Sequence, residues 1–417
     1  MSNHKIERVF GVFPSTAFVV GTVVGTGIYL KPGLVAELLG SPWRVLWVWF
    51  AGGVFVTAGA VVYSRLARLW PESGGAYLYL SRVYGPWAAS LLLAADVFIG
   101  RPAAVGALAY GLGLVWQLEA SRCLVVALSA VVVLTAVQLM GSRVQGLSQS
   151  VLTFFQFLPL LVAVGLAGIL PAATMEVSAP TVSVASPAWG AAFLAVLWAY
   201  DGWYNLTNMA GEVEDTERNL PKAMVFGMAF VTLLYVALNA SLIQVLGLDS
   251  LAGDGLPVLT LFERSGVPFL TAGLQLFLSL ALITTLNGTL ACGSRVLIAA
   301  STDGLIRRRL GSDPTAAAPT LAFSAMCLGF LLFSGGLPLK NNMFDTLSEL
   351  TAVVVLALSS LTVTCLFQIH SRGQATTIWE RGAGALFLEI NAILTVFLVM
   401  EVNLIALTGV AVVGGIG

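Results

Sequence analysis

Apolar runs of about 20 residues alternate along the chain with short polar connections, and twelve runs can be marked. They start near Phe10, Pro42, Gly85, Leu124, Leu147, Pro187, Lys222, Pro268, Thr320, Asp345, Gly382 and Asn403. All but the last, which runs only from about Asn403 to Gly417, are long enough to cross a hydrocarbon core of about 30 Å as a helix. The pattern therefore predicts an all-α integral membrane protein with twelve transmembrane helices. The longest polar connection, Gly211 to Pro221, falls between runs six and seven, and nothing resembles a linker between soluble domains. A single membrane domain over residues 1–417 is expected.

Two runs are interrupted near their middles, the first by Val24-Gly25-Thr26-Gly27-Ile28-Tyr29 and the sixth by Ala199-Tyr200-Asp201-Gly202-Trp203-Tyr204. An unsatisfied N–H or C=O in hydrocarbon costs several kcal/mol, so irregular backbone at that depth persists only against protein or a water-filled cavity. Gly25 lies ~22 Å along a helix from Phe10, and Asp201 lies ~21 Å from Pro187, at 1.5 Å per residue. Both breaks reach mid-bilayer, from opposite faces. Runs one and six are five apart, as expected of inverted repeats covering about 10–170 and 187–370, followed by helices at about 382–417. Discontinuous helices then meet at the midplane.

Composition agrees: 58% of the 417 residues are hydrophobic and 10% charged, against roughly 25% charged in a soluble domain. With the N-terminus in the cytoplasm, inner segments collect 14 Lys and Arg residues, among them Arg65, Arg68, Arg82, Arg143, Arg372 and Arg381. The outer segments hold five: Lys31, Arg44, Arg122, Arg264 and Lys340. The positive-inside rule and an even number of spans then place both termini in the cytoplasm. The charged start, with Lys5, Glu7 and Arg8, lacks the small-residue cleavage site of a signal peptide, so the first helix is expected to remain.

Net charge is −1 and no basic patch for nucleic acid is present. Cys123, Cys292, Cys327 and Cys365 fall in or beside apolar runs without paired spacing and read as core residues. His4 and His370 are the only histidines, which argues against a metal site or a histidine-based triad. No cofactor and no enzymatic chemistry are expected.

Chemistry concentrates at the breaks. Where helix 1 resumes, the N–H groups of Thr26, Gly27 and Ile28 present partial positive charge suited to a carboxylate. Where the first halves of helices 1 and 6 end, carbonyls near Val23, Trp198, Ala199 and Asp201 present partial negative charge suited to an ammonium group. Together they fit an α-amino acid; packing through the small Gly21 and Gly25 pair is the competing role.

Asp201 is an intramembrane carboxylate, a placement that costs roughly 2.5–3.5 kcal/mol on insertion scales. Three roles are open to it: contact with a cationic substrate side chain, proton carriage, or capping of the N–H groups where helix 6 resumes. Arg101 is also deep, followed by the helix-disturbing Pro102, and Asp96 five residues away is a poor same-face partner on an α-helix, so pairing with another helix is expected. Glu389 in helix 11 fits either a cavity or the interface. The sequons at Asn205 and Asn287 fall inside membrane runs, which rejects glycosylation.

Five stretches carry a resemblance: Gly21 to Tyr29, Pro71-Glu72-Ser73-Gly74-Gly75-Ala76-Tyr77, Arg101-Pro102-Ala103, Leu197 to Pro221, and Gly293-Ser294-Arg295-Val296-Leu297. In these the chain resembles the L-type amino acid transporter family of the amino acid-polyamine-organocation superfamily, which has the LeuT fold. The resemblance implies an exchanger of neutral L-amino acids that alternates access by moving helices 1, 2, 6 and 7 against a scaffold. It maps substrate contacts onto Val23, Gly25, Thr26, Gly27, Trp198, Ala199 and Asp201, and makes Trp198 an aromatic gate.

Tyr204 stands where the family often has Asn, which leaves selectivity open. Gln156 stands where many members have a helix 5 Lys in place of a coupling sodium ion, so Gln156, Thr284 and Thr285 are candidate coupling residues. Eukaryotic members bind a heavy subunit through a cysteine between helices 3 and 4. Cys123 sits too close to the membrane to match it, and the compact loops look bacterial, so no heavy subunit is expected and the bacterial inner membrane is the implied location. Membrane lipid and a small amino acid are the expected partners. An ion- or proton-coupled transporter, including one for cationic amino acids, and a non-transporting receptor are the alternatives.

Overall fold

The computed structural model describes residues 8–173, 187–306, 317–336 and 343–414. His4, Lys5, Arg307, Arg308, Arg309 and Lys340 lie outside them. Eleven helical segments follow the predicted order, each starting within two turns of its expected position. Helix α1 has halves Val12–Val23 and Gly27–Leu39, α2 is Pro42–Leu69, α3 is Pro86–Val115 and α4 is Ala120–Gln138. Helix α5 comprises Ser142–Gln156 and Leu158–Ala167, and α6 has a first half Trp189–Ala199 and a short resumed turn Asn205–Asn208. Then come α7 (Thr216–Leu246), α8 (Pro268–Thr302), α9 (Ala317–Gly335), α10 (Met343–Ser371) and α11 (Ile378–Gly414).

The last element corrects the sequence reading, because predicted spans eleven and twelve form one uninterrupted helix. Glu401 and Asn403 are polar but do not break a helix, and no Pro intervenes, so the backbone continues through them. The even span number, and with it the shared side of both termini, loses its support.

Exposed tryptophans mark both ends of the bundle. Trp43, Trp47, Trp116 and Trp189 lie at the end where α2 and α6 begin and α3 finishes, while Trp87 and Trp379 lie at the other. Amphipathic indoles favour the headgroup level, so the two sets bracket a membrane slab. Between them the helices approach closely through glycine. A Cβ on Gly53 would meet Thr232 of α7 at 2.3 Å, and one on Gly52 would meet Val196 of α6 at 2.5 Å. Lipid supplies no hydrophobic drive between helices, so such close backbone packing supplies the attraction. The helix pair α2 and α7 forms the most extensive contact, with α1 laid against α7 beside it.

Candidate functional site

The two halves of α1 diverge by 47° at Val24, Gly25 and Thr26. An ideal Cβ on Gly27 would lie 2.4 Å from Ala199 Cα, and one on Gly202 would lie 2.4 Å from the Thr22 carbonyl oxygen. Gly202 also has φ +96°, a left-handed conformation that glycine adopts without strain. The breaks therefore touch backbone to backbone, each seated on a glycine of the other.

Side chains from neighbouring helices satisfy the freed carbonyls. Tyr235 of α7 donates its hydroxyl to the carbonyls of Ala199 at 3.0 Å and Val23 at 3.3 Å, tying both breaks to one residue. Thr285 of α8 lies 3.2 Å from the Gly21 carbonyl and 3.4 Å from that of Val24. Gln156 of α5 donates its amide N–H to the carbonyls of Val20 and Gly21 at 3.4 and 3.3 Å. Part of the acceptor set expected to meet an ammonium group, at Val23 and Ala199, is thus engaged internally.

What remains is chemically polarised. The first N–H groups of the resumed half of α1 have no intrahelical acceptor. The Thr26 hydroxyl is buried without a hydrogen-bond partner, and so is Asp201 Oδ1. Donors on one side and a carboxylate on the other line a small cavity, together with Val23, Gly25, Gly27 and Trp198. Asp201 takes a backbone hydrogen bond from Gly202 where helix 6 resumes, as the capping role would have it, although no side chain caps the turn that starts at Asn205.

The structure brings Val23, Gly25, Thr26, Gly27, Trp198, Asp201 and Thr285 to this cavity. Ile28 is buried and absent from its lining, and Ala199 serves as the seat for Gly27. Thr284 turns back to the Leu280 carbonyl of its own helix at 2.6 Å. Gln156 lies behind α1, and Tyr204 lines a separate cavity with Asp96, Arg101 and Tyr63. Sequence reasoning missed Ala104, Leu108, Asn205 and Thr289, which complete the wall, and Tyr235 behind it. Their signal was faint: Ala104, Leu108, Thr289 and Tyr235 are ordinary residues on helices without a break, and Asn205, just past one, had shown only a glycosylation sequon.

Arg101 overturns its expectation in an instructive way. Its Nε donates to Asp96 Oδ2 at 2.7 Å, both side chains being buried. Residues 93–100 form a π-helical stretch, whose wider turn superposes positions five apart. Pro102 has no N–H and its ring crowds the carbonyl four residues earlier, which relaxes the helix just there. The other face of Arg101 makes the expected link between helices, with Nη1 donating to Asn205 Oδ1 at 3.3 Å and the guanidinium 5.8 Å from the Tyr204 ring centre. Glu389 is exposed on the outside of α11, away from any cavity described here.

Access differs at the two ends. Thr26 also borders a wider cavity that reaches Lys31, Leu256 and Phe344. Trp198 meets Phe344 edge-on at 6.4 Å beside this route, as a gate would. The opposite end is sealed. Val9 and Phe10 donate backbone N–H groups to the Glu212 carbonyl at 2.9 and 3.0 Å, and Phe10 accepts from Glu214 at 2.9 Å. Beneath this seam the buried Glu212 carboxylate takes two bonds from Arg295 of α8, at 2.8 and 3.3 Å, while Arg295 also donates to Gln145 of α5 at 2.9 Å.

Broken helices meeting around a mid-membrane cavity that opens to one end define a membrane transporter. The chain belongs to the amino acid permease family, whose profile matches residues 10–414. It is 29% identical to the serine/threonine exchanger SteT of Bacillus subtilis over 61% of this chain and 58% of that protein. It is also 26% identical to the human b(0,+)-type amino acid transporter 1 over 72% of this chain and 64% of the relative. The matched stretches thus span about three fifths of these relatives' lengths. In structure it resembles MhsT in complex with L-phenylalanine, with a TM-score of 0.63 at 15% identity, covering 94% of this chain and 99% of that one. That likeness establishes the LeuT fold with discontinuous helices.

Proposed function

We propose that the protein is a secondary transporter that exchanges amino acids by alternating access. The observation that carries this reading is a cavity lined both by the start of the resumed half of α1, with its free N–H groups, and by Asp201, whose Oδ1 has no hydrogen-bond partner. An α-carboxylate suits the first and an ammonium the second. The repeats at about 10–170 and 187–370, and a cytoplasmic N-terminus in a bacterial inner membrane, belong to the same reading. The names of its relatives, exchangers and transporters of amino acids, support it. Cys123 is buried and bonded to the Leu118 carbonyl at 3.2 Å, which supports a carrier without a cysteine-linked heavy subunit.

Purified protein in liposomes tests exchange directly. Labelled alanine is expected to accumulate faster in vesicles preloaded with unlabelled amino acid than in empty ones. Equal rates would point to uniport or ion coupling, and binding without accumulation to a receptor.

Asp201 favours a second, compatible reading in which the substrate range includes cationic side chains. Asp201→Asn is expected to lower lysine and arginine uptake roughly tenfold to a hundredfold, the scale of one lost charge-assisted bond, and alanine or leucine uptake much less. An equal loss for all four would place Asp201 at the shared α-ammonium group.

Gln156 and Thr285 occupy the carbonyls at the end of the first half of α1, where a cation would otherwise bind. Replacing external sodium by choline is therefore expected to leave uptake unchanged in the native protein and in Gln156→Lys. A sodium dependence that Gln156→Lys abolishes would instead place a cation beside Thr285.

A further inference from the structure

At the sealed end of the bundle, a basic cluster lies where α2 meets the connection between α10 and α11. Arg65 of α2 donates from Nη2 to the Ala375 carbonyl at 2.6 Å, and its Nε lies 3.7 Å from Glu380 Oε1, beyond hydrogen-bond reach. Glu380 is already committed to starting α11. Its Oε2 accepts from the Thr377 backbone N–H at 2.7 Å while its own N–H donates to Thr377 Oγ1 at 3.1 Å, a reciprocal capping box.

Arg381 has less. Its Nη1 contacts His370 Nε2 at 2.9 Å, and the other ring nitrogen contacts Thr376 Oγ1 at 2.9 Å. An imidazole supplies no negative charge to a guanidinium. The Nε atoms of both Arg65 and Arg381 are buried without a hydrogen-bond partner. Among the described residues, the one carboxylate within 4 Å of either guanidinium is that of Glu380, 3.7 Å from Arg65 and already engaged in the cap. The terminal nitrogens of the two side chains make their contacts at the exposed surface, where an anion from outside the chain can add charge-assisted bonds.

The surroundings name the source of that anion. Ile378 and Trp379, in the same first turn of α11 as Arg381, are 73% and 83% exposed, and Leu386, Ile393 and Val396 continue an exposed apolar strip along α11. Indole and isoleucine side chains this open belong at the headgroup and acyl boundary. A phosphodiester seated on Arg65 and Arg381 would have its acyl chains along that strip. We propose that this cluster is a binding site for the headgroup phosphate of an anionic phospholipid from the leaflet at the Phe10 end. Because Arg65 belongs to α2 and Arg381 to α11, the bound lipid bridges the two helices.

Native mass spectrometry of the full-length chain in detergent tests the site, with phosphatidylglycerol, phosphatidylcholine, glycerol phosphate and inorganic phosphate as separate probes. The native protein is expected to retain phosphatidylglycerol roughly thirtyfold more than phosphatidylcholine, from two basic groups near the membrane surface. The double variant Arg65→Gln, Arg381→Gln is expected to lose that preference, and Arg65→Lys, Arg381→Lys to keep most of it. The lysine pair also guards against misfolding, since a fold defect from losing the arginines would remove the preference in both. An undiminished preference in the glutamine variant would overturn the site. Equal competition by inorganic phosphate or glycerol phosphate would overturn the lipid as its source.

Discussion

Gly27→Ala is expected to reduce amino-acid binding and uptake by roughly tenfold to a hundredfold, the scale of 1–3 kcal/mol of overpacking. The added methyl would sit 2.4 Å from Ala199 Cα and 2.8 Å from Ala199 Cβ. Neither atom can rotate out of the way. Relief therefore requires moving the second half of α1 away from the first half of α6, and that separation pulls apart the N–H groups and Asp201 that face each other across the cavity. The backbone at Gly27 is helical, so alanine carries no conformational strain there and the effect isolates the steric term. Gly329→Ala on α9, where a Cβ meets nothing within 4 Å, is the matched control and is expected to leave uptake unchanged. Binding of labelled amino acid to purified protein reads the effect directly. Native affinity in Gly27→Ala would show that the contact of the two breaks does not shape the site.

The second large effect is expected at the sealed end. Glu212→Ala removes the carboxylate from a pair with side chains 0% and 4% exposed, leaving Arg295 buried and uncompensated. Such losses destabilise by about 3–5 kcal/mol, because the remaining charge keeps its desolvation cost without a partner. A lowered thermal unfolding midpoint in detergent measures it. Burial also shields the pair from ions, so the difference from native protein is expected to persist at high salt.

Glu72→Gln provides the contrast. It breaks the pair with Arg82, at 3.6 Å and with both side chains largely exposed, which contributes about 0–1 kcal/mol and is screened by salt. A Glu212→Ala protein as stable as Glu72→Gln would mean that the backbone seam between Phe10 and Glu214 holds this end closed without the ion pair. Arg295 reaches α5 through Gln145 as well, so its own replacement opens two links where Glu212→Ala opens one.

Local chemistry made much of this molecule readable in advance. Hydrocarbon demands long apolar helices and tolerates irregular backbone only at a buried site, so span positions and both breaks follow from periodicity and glycine placement alone. The motifs at Gly21 to Tyr29 and Leu197 to Pro221 carried the family, now borne out by a profile match over residues 10–414. Asp201 stood out because a mid-membrane carboxylate is expensive anywhere else.

Other features depended on distance in space. Asp96 and Arg101 are poor partners on an α-helix and close partners on the π-helical turn that Pro102 induces, so a rule based on α-helical spacing misplaced them. Tyr204 neighbours a break in sequence, yet helix rotation turns it toward Arg101 and away from the substrate cavity. Helix α11 ran on through Asn403 because polar residues alone do not end a helix. Tyr235 has no break or charge to announce it, and its role exists only because α7 lies against both ends at once.

The division has one physical cause. Burial and backbone satisfaction are imposed residue by residue by the membrane, and they mark which segments must be helix, which must be interrupted, and which polar residue needs a reason. Partner choice is a property of three-dimensional proximity: Glu212 with Arg295, Gln156 with the carbonyls of α1, and Gly27 with Ala199 join residues 83, 135 and 172 positions apart or more. Only packed helices bring such groups within reach.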